Sequence, residues 1–221
     1  MQEKTRARPD LYLLLSLLLL ILLYPTLDHG PLRGSMLGLL MFVPVILATL
    51  RLSQIKSWLW PTVSLMSSAF IFSVASTFFP NRVFDGIKWV LLTAFFGLSV
   101  VGLFSFLKGA RSVLNAHLYT AVSIYLLLGL VWFALYSAIE DFYPDSILRS
   151  SSNTAMAARP SELLYFSLIT LSTIGYGDVV PLYAEVRILA ALEGITGVLY
   201  VAITVALLVS AYKPQSTSRE G

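Results

Sequence analysis

Six long apolar runs constrain this chain more than any other feature. They lie at about 11–27, 32–50, 58–79, 87–107, 117–139 and 184–212. A helix needs ~20 apolar residues to cross the hydrocarbon core of a bilayer, with ~17 as a floor. The first two runs sit near that floor. Short linkers rich in Pro, Gly and charge separate the runs: Asp28-His29-Gly30-Pro31, Arg51 to Lys56, Pro80-Asn81-Arg82 and Lys108 to Arg111. In lipid only helices and closed barrels satisfy the backbone, and these runs are too long for barrel strands. The expectation is an all-α integral membrane protein with six transmembrane helices in the bilayer of a cell membrane.

Composition agrees. The chain is 57% hydrophobic and 12% charged, with a mean hydropathy of +0.80, against about 45–50% and about 25% in soluble domains. The net charge of +3 and the pI of about 9.2 do not point to nucleic acid, because the basic residues sit at the ends of apolar runs, as in membrane topology. There is no cysteine, which excludes disulfides, zinc–thiolate sites and thiol catalysis. The basic start (Lys4, Arg6, Arg8) and the run Leu11 to Leu23 resemble a signal peptide, but Tyr24 to Asp28 offers no small-x-small cleavage site, so an uncleaved first span is expected.

Charge bias sets the orientation. With the N-terminus cytoplasmic, nine basic residues fall inside (Lys4, Arg6, Arg8, Arg51, Lys56, Lys108, Arg111, Lys213, Arg219) and six outside (Arg33, Arg82, Lys88, Arg149, Arg159, Arg187). The sign favours cytoplasmic termini and an extracellular 140–183 segment. Residues 140–160 read as a polar loop. Ser161 to Thr173 is apolar but too short to cross, the mark of a re-entrant helix, with Ser161 as its N-cap and Glu162 at its positive end.

Thr173-Ile174-Gly175-Tyr176-Gly177-Asp178 follows. Glycine reaches left-handed backbone angles without a Cβ clash. Alternating such residues with ordinary ones turns successive carbonyls to one side. Four copies around an axis would stack rings of oxygen able to replace the hydration shell of a potassium ion. The competing reading, a glycine turn with an incidental tyrosine, does not account for its place after a half-spanning helix between two spans.

This sextet resembles the potassium-channel signature, with Ile174 at a position usually Val or Ile. Leu164 to Ser172 looks like the pore helix of that family, and Val179-Val180-Pro181 like its filter exit. The resemblance covers about 117–212. It implies a homotetramer with one pore loop per chain, passive potassium conduction, and no cofactor beyond the permeant ion. It implies that the carbonyls of Thr173, Ile174, Gly175 and Tyr176, with the Thr173 hydroxyl, bind potassium, and that Gly177 lines the outer mouth. Tyr176 would turn its ring away from the axis and brace the filter against the pore helix. Asp178 would add field at the mouth or bond behind the filter. Two departures stand out. Many family members carry a pore-helix Trp that bonds the filter tyrosine, where this chain has Tyr165 and Phe166. Some carry a Glu that pairs with the filter aspartate, where this chain has Ile169.

Three further features belong to the sixth run. Gly197 falls at the family's hinge position, and hinge and close helix packing are both open readings. Val198, Val201, Val205 and Val209 share one side and either line the cavity or face a neighbouring helix. Glu193 is an acid well inside an apolar run, a functional candidate by default. The preferred expectation has it bonding behind the filter, to Thr170 or Ser172; ion-pathway and proton-sensing roles are the minority reading.

Other features carry less. The fourth run has no basic residue between Lys88 and Lys108, so a voltage sensor is not expected. His29 and His117 read as interfacial, and Pro44 as a kink or a tolerated membrane proline. Residues 1–115 form a four-helix region without a motif, 116–212 the pore domain, and 213–221 a short cytoplasmic tail, read as too short for a soluble domain. The chain is not expected to be an enzyme: an intramembrane hydrolase needs a nucleophile with a base or paired metal ligands, and there are two His, no Cys and no Gly-x-Ser-x-Gly. Channel-like potassium transporters carry four pore loops, whereas one is found here. A non-selective cation channel and a non-conducting accessory subunit are the remaining alternatives.

Overall fold

A computed structural model describes residues 8–27, 33–52, 56–79, 81–108, 115–150 and 155–211. The 213–221 tail, Lys4, Arg6, His29 and the linkers at 28–32 and 109–114 lie outside the described residues. The helices are α1 (Arg8–Leu27), α2 (Arg33–Leu52), α3 (Lys56–Phe78), α4 (Arg82–Lys108), α5 (Asn115–Phe142), α6 (Pro160–Leu171) and α7 (Ala184–Ala211). The described residues also form three short strands, β1 (Ile147–Ser150), β2 (Ala155–Ala157) and β3 (Val179–Pro181).

Among the described residues, four helices combine the length and apolarity to cross a membrane: α1, α4, α5 and α7. Helices α2 and α3 have 20 and 23 residues, and their apolar stretches among the described residues are Met41–Leu50 and Trp60–Ser76. Of the six expected spans, four are of crossing length among the described residues. The fourth run also starts earlier than its apolar residues indicate. The Asn81 side chain accepts the Val83 N–H at 2.9 Å, an N-cap that starts α4 at Arg82 and places Lys88 and Asp85 one turn apart in a 2.6 Å ion pair.

Helix α5 is the hub. One side packs on α4 and α1, where Phe133 meets Trp89 and Tyr24 edge-on at centroid distances of 5.1 and 5.4 Å. The other side packs on α6 and α7, where Tyr136 meets Phe166 at 5.1 Å. Helices in lipid associate through close packing and hydrogen bonds rather than a hydrophobic drive. Both are visible here. A Cβ on Gly129 of α5 would come within 2.8 Å of the Leu168 side chain on α6, and the Tyr200 hydroxyl of α7 donates to the Ala121 carbonyl of α5 at 2.6 Å.

The segment read as a polar loop at 140–160 contains helix and strands among its described residues. Helix α5 runs on to Phe142, and β1 then pairs antiparallel with both β2 and β3, in the order β2-β1-β3. The register sets Arg149 opposite Val179 and Ile147 opposite Pro181. A turn makes this possible: the Glu140 carboxylate accepts from the N–H groups of Asp145, Ser146 and Ile147 and from the Ser146 hydroxyl, at 2.7 to 3.2 Å. Asp145 takes a left-handed φ of 62° there, an angle short polar side chains tolerate.

Candidate pore loop and its supports

Helix α6 has 12 residues, about 18 Å at 1.5 Å per residue, half of a crossing. Its start differs from the expectation. Arg159 is the N-cap and Pro160 the first residue, since a proline there gives up only an N–H that has no partner in the helix. Ser161 therefore lies inside the first turn. Glu162 accepts the Arg159 N–H at 2.7 Å, the reciprocal half of a capping box.

At the other end the backbone folds tightly onto the helix terminus. The Thr173 N–H donates to the Thr170 carbonyl at 2.9 Å, and those of Ile174 and Gly175 both donate to Ile169 at 2.8 and 3.2 Å. Along the next residues φ alternates in sign. It is positive at Thr173 (61°), Gly175 (52°) and Gly177 (79°), and Ile174 and Tyr176 between them are not in that region. The glycines take these angles freely. Thr173 is β-branched, and its angle is a strained one worth about 1–3 kcal/mol. The three hydrogen bonds into the end of α6 hold it.

The outer end is held twice. The Tyr165 hydroxyl donates to Asp178 Oδ2 at 2.9 Å, and Asp178 Oδ1 accepts the Val179 N–H at 3.1 Å. Desolvation, then the Asp178 carboxylate, raises the Tyr165 phenol above its ordinary value, so it remains a donor through physiological pH. Val179 to Pro181 then enter the sheet beside β1, and the Leu182 N–H donates to the Ser146 carbonyl at 2.8 Å. The pairing expected of a family Glu is thus made by Tyr165, from the face of α6 next to the loop.

Tyr176 is 72% exposed and Ile174 54% exposed. The brace expected for Tyr176 is not supplied by α6 of its own chain, where the Tyr165 hydroxyl is engaged by Asp178. An open groove of about 530 Å³ runs below the loop, lined by Thr170, Thr173, Gly175 and, from α7, Ala190, Ala191, Gly194, Ile195, Val198 and Leu199. Val201, Val205 and Val209 are likewise uncovered within the chain.

Glu193 is fully buried, but its partners are not the expected ones. Tyr136 Oη lies 2.8 Å from Glu193 Oε2, and Ser167 Oγ lies 2.7 Å from Oε1. Each helix residue is rotated by about 100° from the last. Gly194 looks onto the Thr170 carbonyl, so Glu193, one position earlier, is turned toward α5 and the middle of α6. Thr170 instead faces the groove, and the Ser172 hydroxyl bonds back to Leu168 at 2.7 Å. At Gly197 the packing reading has a contact behind it: a Cβ there would stand 1.9 Å from the Leu171 carbonyl oxygen.

Sequence reasoning missed Glu140, Tyr136 and Ser167. Each left a signal: an acidic pair, Glu140 and Asp141, at the end of a span before a Pro-Asp-Ser turn, and hydroxyls set among apolar neighbours in α5 and α6.

Residues 120–213 match the model of a family described as ion channel. The match takes in α5 from Thr120, α6, the loop and α7. No curated protein and no solved structure matches the chain. The matched segment supports an ion channel and transport rather than catalysis, and the apolar helices support a membrane protein.

Proposed function

We propose that this chain is one of four identical subunits of a potassium-selective channel, conducting passively through rings formed by the carbonyls of Thr173, Ile174, Gly175 and Tyr176. The observation that carries the reading is the alternation of φ at Thr173, Gly175 and Gly177, directly after a half-crossing helix. Such a backbone turns successive carbonyls to one side, and the C-terminal end of α6 adds a partial negative charge beside them. Irregular backbone at membrane depth is tolerated only where it lines water or is packed in protein. One chain leaves Ile174, Tyr176 and the groove face of α7 uncovered; fourfold closure covers them and completes the rings. The topology that goes with this reading has six spans, both termini cytoplasmic, and the loop on the extracellular side of a cell membrane. Beyond the permeant ion it needs no cofactor.

Gly175→Ala tests the reading. A Cβ on Gly175 meets nothing within 4 Å, so the substitution acts on the backbone rather than by collision. An alanine in the left-handed region costs about 1–2 kcal/mol, imposed at four positions of one ring, and each 1.4 kcal/mol is tenfold in an equilibrium. The expected outcome is a loss of potassium over sodium selectivity of tenfold or more in bilayer recordings. Unchanged selectivity would exclude these carbonyls as the filter and favour a non-selective or accessory role.

A further inference from the structure

Behind the pore loop, α5, α6 and α7 meet at one buried polar cluster: Tyr136, Ser167 and Glu193, each 0% exposed. Its proton count is informative. Ser167 Oγ sits 2.8 Å from the Gly129 carbonyl oxygen and 2.7 Å from Glu193 Oε1. A serine hydroxyl has one proton, and a carbonyl oxygen can only accept. If Glu193 were a carboxylate, one of these two short oxygen–oxygen contacts would have no proton in it, leaving lone pairs opposed in a dry site.

We propose that Glu193 is held as a neutral carboxylic acid at the centre of a one-way hydrogen-bond relay, Tyr136 to Glu193 to Ser167 to the Gly129 carbonyl, which ties α7 and α5 to the back of α6. In this arrangement Tyr136 donates to Oε2, the acid proton on Oε1 goes to Ser167 Oγ, and the serine proton goes to Gly129. Three protons fill three contacts. The surroundings agree, because a buried carboxylate needs a cation or a full set of donors. Among the described residues no basic side chain pairs with Glu193. The titratable groups that face it are the α5 phenols Tyr136 and Tyr125. On α6, Tyr165 is engaged by Asp178 at the outer end. Ionising Glu193 removes the donor to Ser167 and releases α6 from α7. The folded chain therefore keeps a proton here that an unfolded glutamate gives up at neutral pH, and stability falls as pH rises.

The relay concerns the protonation of one side chain and holds whatever the pore conducts. Infrared difference spectra of the purified full-length chain in lipid vesicles, wild type minus Glu193→Gln, test it. The expected result at pH 7 is a carboxylic-acid carbonyl band that Glu193→Gln abolishes. As pH is raised, that band should disappear together with thermal stability. Glu193→Gln, whose amide supplies the same donor and acceptor, should stay stable over the same range. A wild type without the band, or equal alkaline sensitivity in both proteins, overturns the proposal. Should Glu193→Gln fail to assemble, Tyr136→Phe replaces it. Loss of the phenol donor should move the band to higher frequency, and an unmoved band overturns the relay.

Discussion

Gly194 and Gly197 lie three residues apart on α7 and separate two effects that a glycine-to-alanine change always mixes. In a helix interior the change gains up to about 1 kcal/mol of intrinsic propensity. A Cβ on Gly194 would rest 3.6 Å from the Thr170 carbonyl, an ordinary contact. On Gly197 it would stand 1.9 Å from the Leu171 carbonyl oxygen, and backbone cannot swing aside as a side chain can. Overpacking of that kind costs about 1–3 kcal/mol, more than propensity returns. Gly197→Ala should therefore lower the melting temperature of the purified protein, with Gly194→Ala clearly milder; the reverse order would contradict the packing. The same residues mark the limit of the sequence reading. The glycines of the pore loop were legible, since a positive φ is a local demand. Which neighbour Glu193 meets was not, since that depends on a rotation of about 100° along α7 and on where Tyr136 and Ser167 come to lie.

At the scale of elements, the long helices could be read from apolar runs, and the half-crossing α6 from its length. The three-stranded cap could not. Its strands are three or four residues long, and what organises them is one carboxylate, Glu140, with four donors from the following turn. Such a nest is a matter of geometry and leaves no periodic trace. Through β1 and β3 it holds the outer end of the loop, while Tyr165 holds Asp178 from below. Hydrogen bonds to a charged acceptor are worth about 1.5–3 kcal/mol each. Glu140→Ala should speed hydrogen exchange at the Asp145, Ser146 and Ile147 amides by at least tenfold, an opening of about 1.4 kcal/mol. Exchange unchanged from wild type would show that the turn stands without its acid.

Over the whole molecule, α5 divides the chain's work. Toward α6 and α7 it builds the region, within residues 120–213, that matches a family described as ion channel. Toward α1 and α4 it is packed by aromatic contacts at Phe133. Helix α4 carries Arg82 and Lys88 near its start and Lys108 at its end, with no basic residue between Lys88 and Lys108, so α4 offers no ladder of gating charge. Of the N-terminal helices, α1 and α4 pack directly on α5, while α3 packs on α4 and α2 on α1, an arrangement that no motif in residues 1–115 announced. The central claim concerns what passes through the pore. Single-channel recording of the purified chain in planar bilayers, under a potassium gradient with sodium balancing the dilute side, tests it directly. The account predicts a reversal potential close to the potassium equilibrium potential, and a reversal near zero under the same gradient would contradict it.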